Sequence, residues 1–368
     1  MLSITNMSLS EIEKVCISLN EERFRARQIY SWIYKHGVNS VDEMTNISSS
    51  LRLLLHKKYP PLQSKIETVA KDVDGTEKFL VRLHDNNIIE SVLIRNRQRI
   101  TTCISSQVGC ASACRFCASG IHGLVRNLLT GEIVEQLLHI KNSLPNGQRI
   151  TNVVLMGIGE PFANYTHVLK AIRIINADWG MGIGARKITI STIGLINGIK
   201  RLADEGLQIN LSISLHAPND AVRNLIVPTN KDAGIRNILA AAQKYLEKTG
   251  REVTFEYVLI DGINSSPKNA KELAERLKDY QCSINVIPLN PVPEFAYRPS
   301  SREKIEAFCA VLEKAGLNVN IRRRKGSGIN AACGQLTFLK KVVAGFVTAP
   351  RSQAHRLGQM RNFHGRNY

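Results

Sequence analysis

Thr101-Thr102-Cys103-Ile104-Ser105-Ser106-Gln107-Val108-Gly109-Cys110-Ala111-Ser112-Ala113-Cys114-Arg115-Phe116-Cys117 is the stretch on which the reading of this chain turns. Its first half alternates like a strand, with β-branched residues and no breaker, through Ser106. Its second half packs three thiols into the spacing CxxxCxxC on the loop that follows. A strand that delivers ligand-type residues from its carboxyl end is the habit of parallel α/β folds, where sites gather on that rim.

Downstream, strand and helix patterns alternate. Apolar strands at Asn152–Met156, Lys187–Ser191, Gln208–Leu215, Glu252–Leu259 and Ser283–Pro288 are each followed by a segment of helical period, and Asn318–Arg322 adds a last strand. Six strand–helix units with near-continuous apolar strands predict a parallel sheet covered by helices, as an open or partial barrel or a doubly wound sheet. Upstream, Lys78–Leu83, Ile88–Ile94 and Arg99–Ser105 read as strands joined by turns. In the middle one Ile88, Glu90, Val92 and Ile94 share a face, so Glu90 interrupts an apolar stripe. A solvated edge explains this as well as a buried carboxylate of raised pKa that serves as a base. Residues 1–61 read as short basic helices, closed by Gly37 after one helix and by Pro60-Pro61 at the end. The expected units are thus 1–61 helical, 62–98 a β extension, 99–341 the barrel with a C-terminal segment, and 342–368 a basic tail.

No apolar run spans a membrane and no secretory leader precedes the first helix, so a cytoplasmic protein is expected. In a reducing compartment, clustered cysteines are metal ligands or reactive thiols rather than a disulfide framework. Of the eight, Cys16, Cys282 and Cys309 stand alone in apolar surroundings and read as core. The formal charge of +18 points to a polyanionic partner.

Two metal readings fit the cysteine loop. Structural zinc needs a fourth ligand, and Cys103 is the available one. An iron–sulfur cubane held by Cys110, Cys114 and Cys117 keeps one iron open to chelation by the amino and carboxylate groups of S-adenosylmethionine. Other strand ends carry polar groups: Gly157-Ile158-Gly159-Glu160, in which Glu160 suits an ammonium group, then Ser191, Ser214-Leu215-His216 and Asn290. Cys333 lies among small residues that leave a thiol accessible, and on residue type alone both it and Cys103 are equally well buried core thiols.

The ordered set CISSQVGC, CxxxCxxC with Phe116 before its last cysteine, MGxGEP, STIG, SLHAP, IPLNP and AACGQL resembles the RlmN/Cfr group of radical S-adenosylmethionine RNA methyltransferases, from the N-terminal helices to about Leu336. The resemblance implies a partial (β/α)6 barrel and a 4Fe-4S cluster on Cys110, Cys114 and Cys117. It implies that two S-adenosylmethionine molecules are consumed per methylation and that Cys333 carries the methyl group. It implies further that Cys103 resolves an RNA crosslink by a transient disulfide with Cys333, and that Glu90 accepts the proton. Gly159, Glu160, Ser191, Ser214, Leu215, His216 and Asn290 match cosubstrate positions. The implied substrates are 23S rRNA in the peptidyl-transferase region and the tRNA adenosine next to the anticodon. A flavodoxin-type electron donor and a monomeric state are expected. Gly157–Pro161 and Arg322–Gly326 look like the carbon-2 branch of the group, with Cfr-like methylation of adenine carbon 8 as the alternative. Asn330 departs from the family, which commonly has an acid there. The rival classes are a zinc-bearing RNA-binding protein without catalysis and a radical enzyme acting on a small molecule, the latter poorly matched to +18.

Overall fold

The computed structural model describes residues 3–340. Three short helices come first: α1 (Leu9–Ser18), α2 (Phe24–Tyr30) and α3 (Ser49–Lys58). α1 starts at a capping box in which Ser8 and Glu11 satisfy each other's backbone N–H. α2 widens into a π-type turn over Ser31–His36 and stops at Gly37, whose φ of 75° is the left-handed cap the sequence predicts. A side chain at Gly37 would also strike Asn142.

The antiparallel strands β1 (Lys65–Lys71), β2 (Glu77–Arg82) and β3 (Asn87–Asn96) follow, then β4 (Arg99–Cys103). These antiparallel strands continue the main sheet, because Val92–Asn96 of β3 pair with Arg99–Cys103 of β4. A two-stranded ribbon, β5 (Gln107–Gly109) and β6 (Leu124–Asn127), closes the base of the cysteine loop. Then come α4 (Thr130–Ser143), β7 (Asn152–Leu155), α5 (Tyr165–Asn176), β8 (Ile188–Thr192), α6 (Ile196–Asp204), β9 (Asn210–Ser214), α7 (Asp220–Ile226) and α8 (Ile235–Thr249). β10 (Val253–Leu259), α9 (Pro267–Leu277), β11 (Cys282–Pro288), α10 (Arg302–Lys314), β12 (Asn318–Ile321) and β13 (Leu339–Lys340) complete the order.

β4, β7, β8, β9, β10, β11 and β12 pair in parallel in that sequence, with β1 and β12 at the two ends of the path. The sheet is therefore a partial barrel extended by a hairpin layer, and all the parallel carboxyl ends point to one rim. β13 returns to pair with Asn87 and Ile88 of β3, so the segment after β12 folds back across that rim. The helical unit is locked to the barrel by Glu135 of α4. Its fully buried carboxylate accepts from Thr5 Oγ1 at 2.8 Å and from the Ser64 N–H at 2.8 Å. A buried carboxylate is tolerated only when donors surround it in this way. Among the described residues no helix is long and apolar enough to cross a membrane. The basic tail expected at 342–368 lies outside them.

Candidate active site

The three cysteines of the loop open into one cavity of about 1040 Å³ at the carboxyl rim of the barrel. The loop's shape follows from its small residues. Gly109 has φ 77°, and a Cβ there would sit 2.0 Å from the Gly123 carbonyl. The Cys110 N–H donates to that carbonyl at 3.0 Å, and the Cys117 N–H donates to Cys114 O at 3.1 Å, which turns the third thiol back toward the second. Phe116 stands edge-on to the His216 ring, centroids 4.9 Å apart.

Burial pushes all three thiols up. Cys114 rises well above the ordinary range, with Cys117 and Cys110 adding to the effect because their charges repel. Such a trio resists ionisation unless a metal group takes the thiolates, and soft sulfur donors are the iron–sulfur set. The buried guanidinium of Arg223 acts on Cys114 in the opposite sense and offers charge complement to an anionic cluster. Among the described residues no three His, Cys, Asp or Glu side chains converge tightly enough for a single ion. Cys103 does not line the cavity with the trio; it is a buried residue of β4 between Val92 and Val154. The four-cysteine zinc arrangement is therefore not assembled, whereas the trio fits a cluster.

The cavity wall holds most of the cosubstrate candidates: Gly159, Glu160, Ser191, Ser214, His216 and Asn290 all line it. Glu160 is buried, and its carboxylate oxygens accept from the N–H groups of Phe162 at 3.0 Å and Ile193 at 2.8 Å. Burial still raises it to about 7. His216 has φ 60°, and its Nδ1 accepts from the Val258 N–H at 3.0 Å. The ring is thus the Nε2–H tautomer, held neutral by burial and by Arg223, which lower it to about 3. Asn290 donates to the Cys333 carbonyl at 3.0 Å, while its Oδ1 is buried with no partner among the described residues. An orphan acceptor on a cavity wall suits a ligand that brings a donor, as S-adenosylmethionine does.

Leu215 is the exception. It is fully buried and does not reach the cavity; its N–H donates to Glu256 O and its carbonyl accepts from Arg223 Nε. The polar neighbours on either side line the cavity, and Leu215 between them is buried in the core.

Cys333 is exposed on the same cavity. Its segment is tied directly to the cysteine loop: the Ala118 N–H donates to Gly334 O at 2.7 Å, and Ser119 Oγ donates to Leu336 O at 2.7 Å. Behind it Cys103 is pushed up to about 12, by burial first and by the charge of Cys333 next. The two thiols that residue type alone left as core residues are thus within electrostatic reach of each other. Glu90 sits outside the cavity wall, buried on β3, with Lys78 Nζ 2.8 Å from Oε1 and the Thr337 N–H on Oε2 at 2.9 Å. Asp72 and Asp74, in the β1–β2 turn, accept from the N–H groups of Gly328 at 2.8 Å and Gly326 at 3.0 Å. The hairpin layer therefore clasps the segment that carries Cys333 on both flanks.

Two polar residues, Glu256 and Arg223, escaped the sequence reading, and Arg322 entered it only as part of the segment Arg322–Gly326 and not as a cavity residue. Arg322 lines the cavity at the end of β12 and lowers both Cys103 and Cys333. Glu256 of β10 lines it too, accepting from Ser212 Oγ at 2.8 Å and Asn285 Nδ2 at 2.9 Å. Arg223 ties the rim together, donating to the carbonyls of Ile193, Ser214 and Leu215. A cation or carboxylate inside an otherwise apolar element was the available signal.

Residues 2–59 match the family model of the ribosomal RNA large subunit methyltransferase N-terminal domain, and 104–277 match that of the radical SAM superfamily. Relatives in Rhodopirellula baltica and Alkaliphilus oremlandii, both named "Probable dual-specificity RNA methyltransferase RlmN", are 45% and 46% identical. They align over 90% and 91% of this chain, and over 90% and 97% of their own length. The solved radical SAM methyltransferase from Sphaerobacter thermophilus superposes with a TM-score of 0.89 at 42% identity, over 91% of this chain and 99% of that one. The radical SAM match, a cysteine trio that fits a 4Fe-4S cluster and identity over nine-tenths of the length agree: the chain belongs to the RlmN family of radical S-adenosylmethionine methyltransferases.

Proposed function

We propose that this protein methylates carbon 2 of an adenine in RNA, in 23S rRNA and in tRNA beside the anticodon, through a methyl group carried on Cys333. One observation carries the reading: Cys333 opens into the cavity lined by Cys110, Cys114 and Cys117, with Cys103 buried beside it. The ring carbon between two nitrogens is electrophilic and does not attack a sulfonium methyl, so a radical route is required. Cys110, Cys114 and Cys117 would hold a 4Fe-4S cluster, which when bound would supply the one electron needed to cleave S-adenosylmethionine to a 5′-deoxyadenosyl radical.

The chain's own residues do the rest. Glu160 meets the amino group of the cosubstrate, and Asn290 Oδ1 offers the unpartnered acceptor. Ser191, Ser214 and neutral His216 line the pocket for its remaining polar groups. Cys333 takes a methyl from a first S-adenosylmethionine as a thioether. It then gives up a hydrogen atom from that methyl to the radical made from a second one, so two are consumed per turnover. The resulting carbon centre bonds to the adenine ring. The radical adduct would return its surplus electron to the cluster, and Glu90 takes the ring proton. Cys103 then attacks the sulfur of Cys333, the released carbon takes up a proton to become the methyl group, and the disulfide left behind is reopened by an external thiol reductant. A flavodoxin-type donor supplies the electron that starts each turnover. The enzyme acts as a monomer in the cytoplasm, with residues 1–61 as an RNA-binding accessory unit. The carbon-8 alternative is not favoured, since the relatives carry the RlmN name. Nucleoside mass spectrometry after anaerobic incubation with ribosomal RNA and tRNA tests the reading. 2-Methyladenosine is expected; 8-methyladenosine, or no product from a cluster-loaded protein, overturns it.

A further inference from the structure

A second cavity lies at the opposite end of the parallel strands. It is an open trough of about 1670 Å³ between the β3–β4 turn, the loops leading into β7 and β8, and one side of α4. Five cations line it, Arg97, Arg99, Lys141, Arg149 and Lys187, and no carboxylate does. Among the described residues none of the five stands within ion-pair distance of an acid, whereas the neighbouring Arg95 is neutralised by Glu77. Arg97, Arg99, Arg149 and Lys187 are exposed. Like charges held this close repel one another, and the arrangement favours a ligand that brings several negative charges.

The wall of the trough is continuous with the basic helical unit. Lys141 Nζ donates to the Lys35 carbonyl at 2.9 Å, and Asn142 Nδ2 donates to the Gly37 carbonyl at 2.7 Å. Exposed Arg23, Arg27 and Lys35 extend the positive field from there. A wide, solvent-open trough that runs on into a basic surface suits an extended polyanion better than a small phosphorylated molecule. It is also remote from the reaction. Arg99 begins β4 and Cys103 ends it, which places the trough about 13 Å along that strand from the resolving thiol.

We propose that the trough grips a phosphodiester segment of the RNA substrate away from the reacting adenosine, so that it strengthens binding only of RNAs long enough to reach it. The inference rests on the reading of this chain as an RNA methyltransferase and adds to it a second, catalytically silent contact.

The test compares the cluster-loaded wild type with the Arg97→Asn/Arg149→Gln/Lys187→Gln variant, without reductant, by equilibrium binding to two probes. One is a complete tRNA and the other its isolated anticodon stem-loop. On tRNA the variant is expected to bind about tenfold or more weakly near 0.1 M salt, and its log–log salt slope to fall by about two to three, because each lost phosphate contact removes roughly 0.7–0.9. On the stem-loop its Kd is expected within about twofold of wild type, and turnover at saturating tRNA unchanged. The single Arg149→Gln variant, on an exposed loop, is expected to show about a third of the slope change, which guards against a folding artefact in the triple variant. Unchanged affinity and slope on tRNA overturn the proposal, as does an equal loss on both probes. Slowed reduction by an acidic flavodoxin-type donor with tRNA binding intact also overturns it and gives the trough to a protein partner. If the wild type methylates no RNA while the length-dependent loss remains, the proposed function falls and the RNA contact stands.

Discussion

Lys78 Nζ lies 2.8 Å from Glu90 Oε1, across the β2–β3 pair, with both side chains almost out of solvent. Burial raises Glu90, and Lys78 pulls it back. Their pairing offsets part of the cost of burying the carboxylate, while its other oxygen holds the Thr337 N–H. Removing the lysine as Lys78→Met should raise the Glu90 pKa further, because burial is then no longer opposed by a neighbouring cation. Proton acceptance needs the ionised form, so the alkaline-rising limb of the rate profile should move to higher pH. Single-turnover rates from pH 6 to 9 check this; an unmoved limb would separate Glu90 from the proton step.

Cys333→Ala should abolish methylated product while leaving cluster content intact. Cys103→Ala should stall with RNA covalently attached to Cys333, because nothing opens the thioether. Denaturing gels of labelled RNA distinguish the two variants, and free RNA with Cys103→Ala would remove the resolving role from that residue.

Glu160 titrates near 7, raised chiefly by burial, so it is largely neutral at pH 6 and largely ionised at pH 8. An ammonium group binds the ionised form, hence affinity for S-adenosylmethionine should rise across that window, by up to about tenfold per pH unit below the pKa. For the ligand-free protein the sign is opposite. The folded state binds the proton more tightly than the unfolded chain, so this group's contribution to stability is largest at low pH and is lost as pH rises toward 7. Calorimetric titration of wild type and Glu160→Gln checks the binding profile, which should flatten in the variant.

Anaerobically purified protein should be brown, with iron and sulfide near four each per chain. Serine at Cys110, Cys114 or Cys117 should remove most of both, whereas serine at Cys16, Cys282 or Cys309 should not. Stoichiometric zinc without sulfide would return the chain to a non-catalytic reading.

Asp74→Ala should free the Gly326 N–H and loosen the segment ahead of Cys333. Hydrogen exchange over residues 326–337 should speed up and turnover should fall severalfold, with iron content unchanged. Exchange as slow as in wild type would mean that the clasp holds nothing.

Much of the barrel was legible in the sequence because its strands are apolar runs bounded by glycine and proline and its helices carry a clean 3.6 period. β1 was not, since most of its side chains are exposed and Lys65, Glu67 and Lys71 hide any apolar alternation. The rim residues were legible where a polar group ends a strand, as at Ser191 and Asn290. Glu256 was hidden inside the apolar run of β10, and Arg223 is explained only by the three carbonyls that long-range folding brings around it. Leu215, which the resemblance groups with Ser214 and His216, is buried and does not line the cavity as they do.

The clasp between the β1–β3 layer and the returning segment also divides labour within the chain. A barrel cut after Leu317 would keep Cys110, Cys114 and Cys117 and the cavity-lining strand ends from Gly159 to Asn290. It would lack Cys333, the proposed methyl carrier, and the strand β13 that returns its segment to β3. Such a fragment would be an uncoupled engine, spending cosubstrate with no productive acceptor, and the hairpin layer is in that sense the transmission that ties a hazardous reagent to a single target.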